Sequence, residues 1–300
     1  MKRRSFIRSS SLLIPSTFLG RSPLVRTGPP HLKLSLAAYS FREKFKWFKN
    51  RRNKKGGEMT LHDFIDYCAT NKIPAAEITT YFLQPKVTEN NLLNLRLHAQ
   101  NHGVTFSGTA IGNNFSVGKG PLLDEQIAET KAWIDKTATL GASHIRVFPG
   151  VAKSFEQHPL RLSEAIDALQ ECSDYSASRG VVVGVENHGN MSVDQMIHVL
   201  KSVDSPWFGI NLDTSNYIVE KDGELYDAVS QSLPYAVNVQ IKVKRKLPNG
   251  LKVNVDLKKM IRLLKKEGYQ GYVVLEYEEE DPNKNVPEYI KLLRELIKES

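Results

Sequence analysis

Four oxygen-bearing side chains close short apolar runs in the second half of this chain. Glu186 ends the run 181–185, Asp213 ends 208–212, Gln240 ends the stretch from Val237, and Glu276 ends 272–275. Their separations of 27, 27 and 36 residues each match about one strand-helix unit. A run of β-branched residues this short reads as a buried parallel strand covered on both faces. Such a strand has no use for a lone carboxylate, whose burial is costly, unless its C-terminal end opens on a site. Four donors at equivalent strand ends would converge on one point.

Two Glu, one Asp and one Gln are hard donors, suited to a single divalent ion. Mn²⁺ or Mg²⁺ is expected first, with Co²⁺ or Zn²⁺ as alternatives, and open positions left for water or substrate. Glu186 and Glu276 would then face opposite sides of a chelated sugar. One could remove a proton from carbon while the other returns it, with an enediolate between the two steps. The competing reading is a ring of buried ion pairs in which Lys242 and Arg146 neutralise the acids.

The elements that must position these residues alternate regularly. Strands are expected near 32–39, 74–80, 104–110, 143–148, 181–186, 208–213, 237–242 and 272–277, with helices between them and a last helix from about 286. Gly103, Gly141, Gly180 and Gly268 each stop a helix just before a strand. Eight such units in about 270 residues predict an α/β fold, a (β/α)8 TIM barrel with its site at the C-terminal strand ends. A doubly wound sheet would want a Gly-rich phosphate loop after the first strand, and the sequence has none. The expected organisation is a single barrel over 31–300, preceded by a separate segment, 1–30.

That segment carries most of the charge imbalance. The 300 residues have a formal charge of +8, but residues 1–26 hold six Lys/Arg and no acid, which leaves about +2 for the rest. A nucleic-acid partner is therefore not expected. Lys2-Arg3-Arg4-Ser5-Phe6-Ile7 resembles a twin-arginine export signal, which implies a periplasmic address. No apolar run approaches the roughly 20 residues of a membrane span, so the mature protein is not expected to insert. Cys68 and Cys172 lack metal-type spacing and read as buried thiols.

The order Glu, Asp, Glu on the fifth, sixth and eighth strands resembles the xylose-isomerase-like TIM-barrel superfamily of sugar isomerases and epimerases. Within it, the ketose 3-epimerase and inosose dehydratase branch is nearest. The segments carrying the likeness are Val185-Glu186-Asn187-His188, Leu212-Asp213-Thr214-Ser215-Asn216 and Val273-Val274-Leu275-Glu276. The resemblance implies a metal held by Glu186, Asp213 and Glu276, a small carbohydrate substrate and a homo-oligomer. Two positions depart from it: Gln240 replaces a His ligand in Val239-Gln240-Ile241-Lys242, and Asn216 replaces a second His. Losing these imidazoles disfavours the trinuclear zinc site of the related endonucleases.

Further substrate contacts are expected from His188, Lys242 and Asn216, and from one of Arg146, His144 and Glu77; Asn113 and Asn114 follow the third strand. The loop 42–58, with eight Lys/Arg among Phe45, Trp47 and Phe48, lies on the expected rim, where Trp47 could cover a sugar face. The expected activity is isomerisation or epimerisation of an unphosphorylated carbohydrate. A lyase or dehydratase acting on a 3-oxo-glycoside or inosose through the same enediolate is the alternative. A non-catalytic sugar-binding barrel is the reading from a different class.

Overall fold

The computed structural model describes residues 23–299. In chain order its strands are β1 (His31–Ala37), β2 (Trp47–Phe48), β3 (Arg51–Arg52), β4 (Ala75–Thr79), β5 (Thr105–Ala110), β6 (His144–Val147), β7 (Val182–Glu186), β8 (Phe208–Asp213), β9 (Ala236–Ile241), β10 (Lys244–Lys246), β11 (Lys252–Asn254) and β12 (Gln270–Leu275). The helices are α1 (Leu61–Thr70), α2 (Glu89–Asn101), α3 (Pro121–Leu140), α4 (Ala152–Gln157), α5 (Leu160–Ala177), α6 (Val193–Ser202), α7 (Asp222–Ser232), α8 (Leu257–Lys266) and α9 (Pro282–Lys298). Strands β1, β4, β5, β6, β7, β8, β9 and β12 close into one parallel barrel. The expected (β/α)8 barrel is therefore the fold. Hairpins β2–β3 and β10–β11 are additions that the strand pattern did not announce. Among the described residues no helix is long and apolar enough to cross a membrane.

Each unit has a local reason. Thr60 and Asp63 form a capping box at the start of α1, Thr88 and Asn91 do the same for α2, and Ser192 and Gln195 for α6. Gly141 ends α3 in the left-handed conformation, with φ of 78°. In β8 the period of two sends Phe208, Ile210 and Leu212 outward to the helices. Asn211 and Asp213 face the barrel axis, so all six residues are buried. The two cysteines are free and buried.

The interior is unusually polar for this architecture, whose strands normally fill the axis with branched apolar side chains. Ser35, Glu77, Ser107, His144, Asn211, Asn238 and Gln240 are all buried. Gly108 makes room for one of them: a Cβ there would lie 2.0 Å from Cε1 of the His144 ring.

Of the N-terminal segment, residues 1–22 and with them the paired arginines lie outside the described residues. The chain just beyond is docked on the barrel. Arg26 donates to the carbonyls of Leu233 and Ala236 and stacks over the Tyr269 ring, while Leu24 N–H bonds Pro234 O.

Candidate active site

The strand ends hold the acids in two tiers. Register sets Asp213 opposite Gln240 and Leu275 opposite Ile241, so the next residue, Glu276, comes level with Lys242. Backbone bonds fix these positions: Glu276 N–H donates to Ile241 O, and Thr214 N–H to Gln240 O. Asn187 brackets the Asp213 backbone, accepting from its N–H at 2.8 Å and donating to its carbonyl at 2.9 Å.

The upper tier is built around an ammonium. Lys242 Nζ lies 2.9 Å from Asp213 Oδ2, 3.2 Å from Glu278 Oε1 and 3.4 Å from Glu276 Oε2. It donates to Asn216 Oδ1 at 3.1 Å, and Asn216 Nδ2 in turn donates to Glu186 Oε1 at 2.9 Å. Arg146 Nε meets Glu186 Oε2 at 2.8 Å, and its Nη1 donates to Ile111 O. The ion-pair ring foreseen as the competing reading therefore does form. It does not balance. Glu186, Asp213, Glu276 and Glu278 face two cations, Lys242 and Arg146.

The deficit is visible in the protonation equilibria. Burial raises the Glu276 carboxyl to about 8; Lys242 opposes the rise, while Glu278, Asp213 and Glu186 add to it. Burial likewise raises Asp213 to about 6 against the pull of Lys242. Burial also works against the charge on Lys242, but Asp213, Glu276 and Glu278 outweigh it and hold the ammonium well above its usual range. Asp213 Oδ2 is fully buried, with Lys242 Nζ at 2.9 Å as its charged neighbour.

An all-oxygen, net negative donor set has the chemistry of a hard cation's ligands, which Glu186, Asp213 and Glu276 would supply; here Lys242 stands among them, and the three do not bring their oxygens into one coordination sphere. Gln240 does not belong to that set, contrary to expectation. Its Oε1 accepts from Asn211 Nδ2 and its Nε2 donates to Glu77 Oε1, both at 2.7 Å, so its amide is spent in the lower tier. The structure thus places the Gln240 amide in the barrel interior, bonded below the acids.

Glu77 is its partner there. It also accepts from Asn238 Nδ2 at 3.0 Å, and burial raises its carboxyl to about 7 against the guanidinium of Arg146. His144 lies beside it, 4.0 Å away, with burial lowering its imidazole to about 4. Of the three residues among which one was expected to face the site, Arg146 does, while Glu77 and His144 fill the axis.

Above the acids opens a cavity of about 260 Å³, lined by His188, Asn216, Lys242 and Glu278 and bounded by hairpin β10–β11. Its size is close to the lower end of small-molecule sites, about 300 Å³. The His188 ring packs against Phe148 at 4.4 Å, and burial lowers its basicity although Glu186 opposes the effect. His188 thus stands where a substrate contact was expected. Trp47 does not. It lines a separate groove with His62, Phe82 and Val87 beside α1 and α2. Asn113 clamps Phe148 through its backbone N–H and carbonyl, and Asn114 bonds Ser116. Glu278 escaped sequence reading because it lies two residues past Glu276, in the acidic stretch 278–281, where no single residue stands out.

The sequence model of the xylose isomerase-like TIM barrel family matches residues 65–296, most of the barrel. The chain belongs to this family. Solved structures extend the likeness to nearly the whole barrel. D-psicose 3-epimerase with D-tagatose from Clostridium cellulolyticum H10 superposes with a TM-score of 0.69 at 14% identity, covering 88% of this chain and 99% of that one. The IOLI protein with a bound zinc atom gives 0.68 at 19%, covering 88% and 96%. A 3-keto-D-glucoside 4-epimerase from E. coli gives 0.66 at 17%, covering 88% and 99%. No curated protein sequence matches the chain. At these identities the solved structures establish the xylose isomerase-like fold, and the chemistry rests on the site.

Proposed function

We propose that this barrel is a metal-dependent sugar isomerase or epimerase acting on a small unphosphorylated carbohydrate. The observation that carries the reading is the gathering of Asp213 and Glu276 around Lys242 at the strand ends, with Glu186 joined to the same ammonium through Asn216. A divalent ion there, Mn²⁺ or Mg²⁺ by the hardness of the donors, would polarise the vicinal oxygens of a hydroxy-ketone. Glu186, oriented by Arg146 and Asn216, takes the proton from the carbon next to the carbonyl. The electron pair moves onto the carbonyl oxygen, and Lys242 lies close enough to the acids to meet that charge. Glu276 delivers a proton to the opposite face of the same carbon and the carbonyl reforms. His188 and Asn216 supply polar contacts on the cavity wall.

The same carboxyl on Glu276 suits protonation of a departing oxygen next to the enediolate. That observation keeps elimination from a 3-oxo-glycoside as the second reading. The twin-arginine-like N-terminus supports a substrate met outside the cytoplasm.

The test is turnover of keto-hexoses and 3-oxo-glycosides in D₂O with added Mn²⁺, comparing wild type with Glu186→Gln. Deuterium at the epimerised carbon is expected from wild type, with turnover falling about 10²- to 10⁴-fold in the variant. Unchanged turnover in Glu186→Gln would remove the assignment. An unsaturated product and a released aglycone would decide for elimination.

A further inference from the structure

A second donor cluster lies outside the barrel, between α1 and α2. Asp66 on α1 and His98 and His102 on α2 each present one ligand atom, and the three atoms lie within 4.8 Å of one another. His98 and His102 are four residues apart, so they share one face of α2. His98 Nε2 meets Asp66 Oδ1 at 2.6 Å, and His102 Nε2 stands 3.6 Å from the same oxygen.

Three features prepare this cluster for a cation. The Nδ1 of His102 lies 2.8 Å from the carbonyl of His98, which can only accept, so the proton is on Nδ1. The lone pair of the neutral ring is then on Nε2, the atom turned toward Asp66; metal-binding imidazoles are commonly oriented by such a bond. Second, His98 lies in the last turn of α2 and His102 caps it, where the free carbonyl ends of the helix favour positive charge. Third, the separations are close to those of a coordination sphere. Bonds of about 2.0–2.1 Å around a tetrahedral zinc place neighbouring donors roughly 3.3 Å apart. The distance from His102 already matches, and the direct His98–Asp66 bond needs to open by less than about 1 Å. All three side chains are solvent-accessible, with exposures of 26% for His98, 41% for His102 and 50% for Asp66, so an ion has a route in and water can complete the sphere.

We infer that Asp66, His98 and His102 form a surface site for a zinc-class divalent ion, which staples α1 to α2. Its two imidazoles select borderline metals such as Zn²⁺ and Ni²⁺. On the proposed reading of the strand ends, the carboxylates there would take a harder ion, so the two sites differ in the metal they prefer. Zinc binding releases or relocates the proton shared by His98 and Asp66 and leaves the barrel untouched.

The experiment uses the untagged protein with its barrel site presaturated with Mn²⁺. Calorimetric titration with ZnCl₂ is compared between wild type, His98→Gln/His102→Gln and Asp66→Asn, with circular dichroism as the fold control. Wild type is expected to take up one Zn²⁺ per chain that the double variant lacks, and Asp66→Asn to bind it at least about 10-fold more weakly. A Ni²⁺ column should retain wild type and pass the double variant. Equal zinc stoichiometry and affinity in wild type and double variant, with both folded, would overturn the inference. Zinc uptake abolished by Glu276→Gln and unaffected by the histidine changes would assign it to the barrel instead.

Discussion

Replacing Glu276 by Gln should make the metal-free protein more stable while abolishing its activity. Gln copies the protonated carboxyl in shape and charge, so the substitution isolates the cost of ionising Glu276 beside Asp213 and Glu278. The folded-state carboxyl is raised to about 8 from its ordinary value of 4.5. Below the lower value both states bind the proton and nothing is lost. As pH rises toward the upper value, the unfolded chain ionises while the folded one keeps its proton, so wild-type stability falls by about 1.4 kcal/mol per pH unit. Between pH 5 and 8 this reaches at most about 4 kcal/mol. Glu276, Asp213 and Lys242 titrate together, so about 2 kcal/mol is the working expectation. For a chain of this size that is a melting-temperature gap of about 4–8 °C.

The assay is thermal unfolding of EDTA-treated wild type and variant from pH 5 to 9. The curves should nearly coincide at pH 5 and separate in favour of the variant by pH 8. Mn²⁺ at about 100 times its dissociation constant should then stabilise wild type by about 2.7 kcal/mol and the variant by far less. A gap that is flat with pH, or that favours wild type at pH 8 without metal, would refute the picture of a site short of positive charge.

Gln240→Leu strips the partners from Glu77 and Asn211 and should cost about 1–3 kcal/mol, while elemental analysis finds metal content unchanged because Gln240 faces the lower tier. Gly108→Ala drives a Cβ into the His144 ring and should lower stability by about 1–3 kcal/mol in urea unfolding, with the slope of the transition preserved.

Much of the site was legible because a strand buried on both faces has to justify any charge it carries. Glu186, Asp213 and Glu276 break apolar runs at intervals of whole strand-helix units, and a parallel barrel brings all such strand ends to one mouth. The likeness to the xylose isomerase-like barrels could be read from those same residues, and the family match agrees with it. The N-terminal boundary was less visible. Arg26 sits in a stretch with no periodicity, and only its contacts with residues 233–236 tie it to the barrel.

What one-dimensional order determined here is which strands exist and where their polar ends fall, since period and burial are local properties of the chain. The tertiary structure decided which way each polar end points. Gln240 could reach up to a metal or down to Glu77 with equal covalent freedom; the choice went to the tier where both halves of its amide are satisfied. Lys242 meets Asp213, Glu276 and Glu278 because barrel register sets it level with Glu276, a relation between residues 34 positions apart. Asp66 and His98, 32 positions apart, meet for the same kind of reason: adjacent helices pack side by side. Hydrogen-bond partners and charge neighbours are properties of space, and until the chain closes they have no address in the sequence.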